Sequence, residues 1–368
     1  MNAPEIKGYC PGALRPMMSG DGLVVRVRPY NGRLNRAQTQ GIAALSKQLG
    51  NGVIDLSSRA NVQLRGVTPD NHAPLIDALR DLSLIDPSEA IESRRNIIVT
   101  PFGETPAEAT ALTQALSQPD APALPHKFGF AIDTGPEPVL QSAPADIRLE
   151  RDATGGLILV ADGMRTGKPF KAENSVQEAL ALANWFTDAR GSHNRMARLL
   201  DDGTPPPAGF TTARQTQTYR PAPGPTSQGL LAGIAFGHVT AGAFSTFGDI
   251  RLTPWRMILI EGVHNPPPLD GLITDPTDPF LRITACTGAP ACAQALAQTR
   301  PLARTLAPHL KPRQTLHISG CAKGCAHPKP AAVTLTATHT GFDLVQNGRA
   351  GDTPNQTALT STDIIKAL

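Results

Sequence analysis

Four cysteines define the chemistry open to this chain. They are spaced Cys286-x5-Cys292 and then, after 28 residues, Cys321-x3-Cys325. Four thiolates are what an iron–sulfur cubane requires, one cysteine sulfur to each iron. Structural zinc more often uses short CxxC knuckles, whose tight turns aim two sulfurs at one small ion. Spacings of five and three are wider and suit the corners of a larger cluster. The intervening runs, Thr287-Gly288-Ala289-Pro290-Ala291 and Ala322-Lys323-Gly324, let backbone N–H groups approach and hydrogen-bond cluster sulfides. Gly320 and Gly324 flank Cys321 to the same effect. We expect Cys286, Cys292, Cys321 and Cys325 to hold a [4Fe–4S] cluster, with zinc or unliganded thiols as the rival readings. The fifth cysteine, Cys10, reads as a small packed residue, because the set of four is complete without it.

The elements that must position these thiols repeat within the chain. Gly22-Leu23-Val24-Val25-Arg26-Val27 alternates as a strand, followed by a helical pattern over 35–49 and further strand over 53–67. Residues 229–237 again read as a strand, and Arg251-Leu252-Thr253-Pro254-Trp255-Arg256 follows after a much shorter connection. The strand pattern at 93–103 precedes a helix at 106–117. Its counterpart at 282–290 carries Cys286 and precedes a helix expected over 292–306. Residues 124–133 correspond to 316–321, and each half closes on strand pairs, 147–150 with 156–161 and 332–337 with 341–345. Only the second copy carries the four cysteines. Between the halves, 176–190 looks helical, and 201–228 holds six prolines and three glycines and reads as linker. Met17 and Met18 read as core, Trp185 and Trp255 as packing.

The composition narrows the function classes. The chain has 368 residues, 40% hydrophobic, enough for two or three domains with a sizeable core. With 33 glycines and 35 prolines it is rich in turns, and its 18% charged residues fall below the usual quarter, roughly. A net charge of +3 is too mild for a dedicated nucleic-acid binder, and 4% aromatic residues are too few for a base-stacking platform. No GxGxxG or GKS/T run marks a built-in nucleotide site. The opening twelve residues hold Glu5 and Lys7 with no apolar run, and the longest apolar stretch, 230–244, is interrupted by His238 and Thr240. The expectation is a cytoplasmic protein without a membrane span, where cysteines bind metal rather than pair as disulfides.

The Cx5C…Cx3C motif resembles the cluster motif of the sulfite and nitrite reductase superfamily, and the internal repeat fits it. Within that superfamily, Gly8-Tyr9-Cys10-Pro11, Arg15-Pro16-Met17, Gly20-Asp21-Gly22-Leu23 and Arg251-Leu252-Thr253-Pro254-Trp255-Arg256 resemble the precorrin-3B synthase branch. The resemblance covers nearly the whole chain. It implies an α+β fold built by duplication, with two ferredoxin-like half-domains pairing by pseudo-two-fold symmetry and two larger α/β domains flanking them. The boundaries expected are 1–68 and 69–165 for the first half-domain and its α/β domain, and 166–228 for a helix and linker. The second half-domain is expected at 229–264, and the cluster-bearing α/β domain at 265–368.

The same resemblance carries site residues. Reductases bind their anion with basic side chains in a Thr-Thr-Arg-Gln motif, before an asparagine, and in Pro-Arg-Lys-Phe-Lys. Here these are Ser57-Ser58-Arg59-Ala60, Arg95-Asn96 and Pro125-His126-Lys127-Phe128-Gly129. Arg59, Arg95 and Lys127 are therefore the expected substrate-binding residues, with Arg65 and Arg94 as weaker candidates. One lysine of the reductase set is replaced by Gly129, which argues against reduction of a small anion. The branch also implies a mononuclear non-haem iron, and His193, His238, Glu261 and His264 are candidates that no spacing selects. The activity implied is oxygen-dependent hydroxylation of the tetrapyrrole precorrin-3A at C20 with γ-lactone formation, in cobalamin biosynthesis. Its partners would be the tetrapyrrole, dioxygen and an external electron donor, with no nucleic acid and no membrane. The alternative is a siroheme-dependent sulfite or nitrite reductase. Catalytic side chains are not identified.

Overall fold

A computed structural model describes residues 10–264 and 271–368. Gly8 and Tyr9 of the opening run lie outside the described residues, as do residues 265–270 at the start of the last expected domain. Two antiparallel sheets form the centre. The first runs in the order Met17–Ser19, Gly22–Val27, Val62–Val67, Val53–Leu56, His238–Thr240, and the second in the order Gly224–Thr226, Gly229–Ile234, Met257–Glu261, Ile250–Leu252, Arg33–Leu34. Each half thus gives one strand to the other half's sheet. His238 lies opposite Asp55, and Arg33 opposite Arg251. One continuous core fills the space, with Val25, Ile54 and Leu64 from the first copy beside Ile250, Ile258 and Ile260 from the second.

The two copies match down to their turns. Gly22–Val27 and Gly229–Ile234 each lead into a short 3-10 turn whose middle residue, Asn31 or Phe236, has φ of 55° or 61°. At the next turn the Ser57 hydroxyl accepts the N–H groups of Arg59 and Asn61, and the Thr253 hydroxyl accepts those of Trp255 and Met257. Both turns contain a left-handed residue, Ala60 at φ 54° and Arg256 at φ 59°. The copies differ most in the helix between them. Arg36–Leu49 is capped by Asn35 in a capping box with Gln38, whereas its counterpart Ala241–Phe244 has four residues. Met17–Ser19 is an edge strand, which leaves Met18 49% exposed rather than in the core.

The flanking sheets also correspond. Ile97–Val99 and Phe130–Ile132 pair in parallel, as do Ile283–Ala285 and Leu316–Ser319. Each pair continues into Ile147–Arg151 and Leu157–Ala161, or into Ala331–Thr338 and Gly341–Gly348. Residues 166–228, expected as helix and linker, are taken up by their neighbours. Thr166–Pro169 and Thr212–Ala213 extend the first flanking sheet. The helix Ser175–Ala189 buries Ala179, Leu182, Ala183 and Phe186 in its core, and Gly224–Thr226 edges the second central sheet. Trp185 packs against that core. None of the described helices is long and apolar enough to cross a membrane.

Asp133 follows Phe130–Ile132 and is 1% exposed. Its Oδ2 accepts the N–H groups of Val139 and Leu140 at 2.8 and 2.7 Å, while Oδ1 has no partner among the described residues. Burial pushes its carboxyl from 3.8 up to about 6, the two N–H bonds opposing. An acid held above its unfolded value binds the proton more tightly when folded, so it costs nothing below the unfolded value. The cost grows as pH rises from about 4 through 6, reaching about 3 kcal/mol. Asp133→Asn should therefore gain on the wild type by up to that amount between pH 4 and 7. Thermal melts of the two proteins across this range test it, and parallel curves would contradict the assignment.

Candidate active site

The parallel register of Ile283–Ala285 with Leu316–Ser319 brings the two cysteine loops together, because both strands end at the same edge of the sheet. Cys286 leaves the first strand and Gly320 the second, and the Gly320 N–H donates to Cys286 Sγ at 3.1 Å. A Cβ at Gly320 would lie 2.6 Å from the Ala295 side chain and 3.5 Å from that sulfur, so only glycine lets the N–H approach. The Cys292 N–H donates to Gly288 O, the Leu296 N–H to Gly320 O, and the Ser319 hydroxyl to Cys321 O. This bonding replaces the expected helix over 292–306. The observed helix begins only at Thr299, since residues 286–298 use their backbone groups to build the loop. All four thiols are free. Burial pushes Cys321 and Cys325 up, and the neighbouring thiols, Cys286 and Cys292 for Cys321 and Cys321 and Cys286 for Cys325, add to it. Among the described residues no three His, Cys, Asp or Glu side chains close on a single metal ion. The donor set, four soft thiols sharing one locus with a backbone N–H aimed at one of them, fits a multi-iron cluster.

The first half holds this loop from across the molecule. Arg65 and Ser19 both donate to the Ala291 carbonyl, at 3.1 and 2.9 Å. Asp21 fixes the Arg65 guanidinium through Nε at 3.0 Å and Nη2 at 2.7 Å. Gly20 lies so close that a Cβ would sit 2.7 Å from Pro290 O.

A row of polar residues crosses the first central sheet on the face away from its core: Arg26, Gln63, Asp55 and His238 are successive partners in register. Asp55 is buried. Burial alone would raise its carboxyl, but the His238 hydrogen bond at 2.8 Å and the charges of Arg300 and Arg65 hold it below its ordinary value. Arg300 bonds both Asp55 and the His238 ring, and Arg256 reaches the Ala326 carbonyl just past Cys325. Arg26 lies beside Cys10, its own charge weakened first by burial and supported by that thiol. Arg65 and Arg300 thus bond across the halves and Arg256 feels the Asp55 charge, while Arg26 and Arg59 lie beside Cys10 on the first half; Asp21, Asp55, Glu92 and Asp146 are the acids among them.

The expected site residues separate on this background. Arg59 is half-buried near Arg26 and Cys10 and donates to Lys127 O at 2.9 Å, and Lys127 is exposed. Arg95 is placed otherwise. It is 4% exposed, donates to both Asp86 oxygens at 2.7 and 2.8 Å and to Arg28 O, and stacks 4.1 Å over the Tyr30 ring. Its Nε and Nη2 donors are committed inside the protein, which ties it to the fold. Arg94 donates to Ala121 O. The four iron candidates do not come together. His193 pairs with Asp202, His238 with Asp55, and Glu261 with Arg33 and Arg251, while His264 is exposed. Arg26, Asp55 and Arg300 are functional candidates that no motif marks, and Arg256, which closes the branch-like run, takes no role from it; the fold brings all four out.

Residues 15–82 match the family described as the nitrite/sulfite reductase ferredoxin-like half domain. A precorrin-3B synthase of Sinorhizobium sp. is 31% identical over 95% of this chain and 84% of that protein. The chain belongs to the precorrin-3B synthase family. A ferredoxin–nitrite reductase of Synechococcus elongatus is 24% identical over 92% of this chain and 82% of its own. The solved structure of the Mycobacterium tuberculosis NirA protein superposes with a TM-score of 0.67 at 19% identity, covering 94% of this chain and 79% of that one. The fold is thus the one of that solved structure, and the half-domain match, with the nitrite reductase relative, puts the precorrin-3B synthase family in the sulfite/nitrite reductase superfamily. In the precorrin-3B synthase frame, the run Arg251–Arg256 has a structural role at each end. Arg251 pairs with Glu261 and reaches the Pro101 carbonyl, and Trp255 stacks on Phe102 with ring centroids 6.3 Å apart.

Proposed function

We propose that this chain is a precorrin-3B synthase, an oxygen-dependent enzyme that hydroxylates precorrin-3A at C20 and closes a γ-lactone from the ring A acetate. The observation that carries the reading is the relative at 31% identity over 95% of the chain, against 24% for the nitrite reductase of similar coverage. The reaction takes dioxygen, two electrons and two protons. One oxygen atom enters the product and the other leaves as water. The electrons come from an external donor, and the reducing cytoplasm is the compartment in which free thiols persist.

Cys286, Cys292, Cys321 and Cys325 would hold the [4Fe–4S] cluster, which supplies one-electron transfer when bound. The Gly320 N–H offsets charge on the Cys286 sulfur. The chain's other contribution is orientation. Arginine forks pair with carboxylates through two hydrogen bonds, and a tetrapyrrole rimmed by carboxylates suits a broad face of Arg26, Arg59, Arg65, Arg256 and Arg300. A small inorganic anion needs cations converging on one point. Arg95 is committed to Asp86 and Gly129 replaces a lysine, so that convergence is weakened here. The described residues offer no three-ligand set for a mononuclear iron.

The test is turnover of precorrin-3A by reconstituted, reduced protein with and without dioxygen, using labelled oxygen and mass spectrometry. The product should gain one labelled oxygen atom only in its presence. Equal product without dioxygen would overturn the reading. A strong Soret band with nitrite or sulfite reduction would establish the siroheme-dependent reductase instead.

A further inference from the structure

A cavity of about 280 Å³ lies on the second-half side of the molecule. Ligand pockets span roughly 300–1,000 Å³, so this one suits a single ring with its side chain. Most of the residues around it are apolar, with Phe236, Trp255 and Phe280 as the aromatic members, while polar atoms supply more than half of the exposed wall. Phe236 and Phe280 meet edge to face at 5.6 Å. Two polar side chains interrupt the lining, Arg256 and Thr284.

Arg256 is not required by the turn that carries it. The equivalent left-handed position in the first copy is Ala60. The guanidinium is half-buried, and its hydrogen-bond partner is a backbone carbonyl, Ala326 O at 3.2 Å. Asp55 is the acid whose charge it feels, and that carboxylate is already shared by His238, Arg65 and Arg300. Behind the cavity, Thr284 lies opposite His317 in the parallel register. His317 is fully buried, and neither ring nitrogen has a partner among the described residues. A buried polar group without a partner is costly, and a neutral imidazole retains one N–H to give.

We propose that Arg256, with Thr284 and His317 behind it, forms a carboxylate subsite, and that the cavity takes one acid-bearing arm of the tetrapyrrole. The aromatic walls receive the ring and exclude water, and the Arg256 fork pairs with the carboxylate. This rests on the tetrapyrrole reading.

Binding of uroporphyrin III, an octacarboxylate, to the cluster-loaded protein tests it, with the octamethyl ester as the uncharged probe. Quenching of Trp255 reports occupancy, and Trp255→Phe gives the background from Trp185. The acid should bind and the ester should not. Arg256→Gln should weaken the acid at least about tenfold. Arg256→Lys should fall between, and Thr284→Val, which leaves the turn intact, should lose about threefold. Cluster absorbance and melting should stay at wild-type values throughout. Unchanged affinity in both Arg256→Gln and Thr284→Val would overturn the subsite and leave the tetrapyrrole reading standing. Equal binding of the ester would overturn it as well. Failure of the wild type to bind the acid would overturn both.

Discussion

Replacing Cys286 with serine should strip the protein of iron and acid-labile sulfide. Cys286 is tied down on every side: its N–H donates to Ile318 O, its carbonyl accepts the Thr299 hydroxyl at 2.6 Å, and its sulfur accepts the Gly320 N–H at 3.1 Å. A serine hydroxyl is a harder, less acidic ligand and shorter than a thiolate, and this backbone cannot advance to meet the iron. Because ligand binding and ordering of the loop are coupled, loss of one corner should release the cluster and loosen residues 286–298. Cys10→Ser, by contrast, should keep full occupancy, since Cys10 contacts Arg26 on the first half. Iron and sulfide analysis with the visible spectrum decides between them. Full occupancy in Cys286→Ser, or loss of the cluster in Cys10→Ser, would refute the four-plus-one division of the cysteines.

Arg95→Ala should cost roughly 3–5 kcal/mol of stability, because it leaves the Asp86 carboxylate buried without its partner. Both residues are 4% exposed. Besides Arg95, the Tyr30 hydroxyl bonds Asp86 at 3.2 Å, a poor replacement for a bidentate guanidinium. Replacing both residues with leucine should recover most of the loss, since an apolar pair of similar size avoids the desolvation cost. Thermal or urea unfolding of the three proteins measures this. A variant that melts like the wild type but binds substrate poorly would return Arg95 to the binding site.

Arg59 and Arg95 show how much a motif position can say. Both sit where the superfamily places an anion-binding cation. Sequence position alone does not distinguish a guanidinium half-exposed beside Arg26 from one sealed against Asp86. The decision depends on Asp86 and Tyr30, which the fold brings to Arg95 from two other segments. Residues 292–298 make a similar point. Their composition permits a helix, but the backbone is recruited by Gly288, Ala289 and Gly320 to shape the cysteine loop, and tertiary demand overrides local propensity. The prolines of 201–228 suggest a free linker, yet short strands from this region complete two different sheets.

The cysteine spacing, the duplication and the superfamily were all legible in the sequence. Each is a local or periodic property: two short loops, alternating strands, and their repetition in order. The charged face between the halves belongs to the tertiary structure. Asp55 and His238 lie 183 residues apart, and Arg65 reaches a carbonyl 226 residues away. They meet because each copy lends a strand to the other copy's sheet, which sets side chains from both halves in one hydrogen-bonded row. That exchange also makes the cysteine-free first half the support of the cluster loop, through Ser19, Gly20 and Arg65. Sequence determines which atoms can ligate or pair. The register of the exchanged strands determines which of them do.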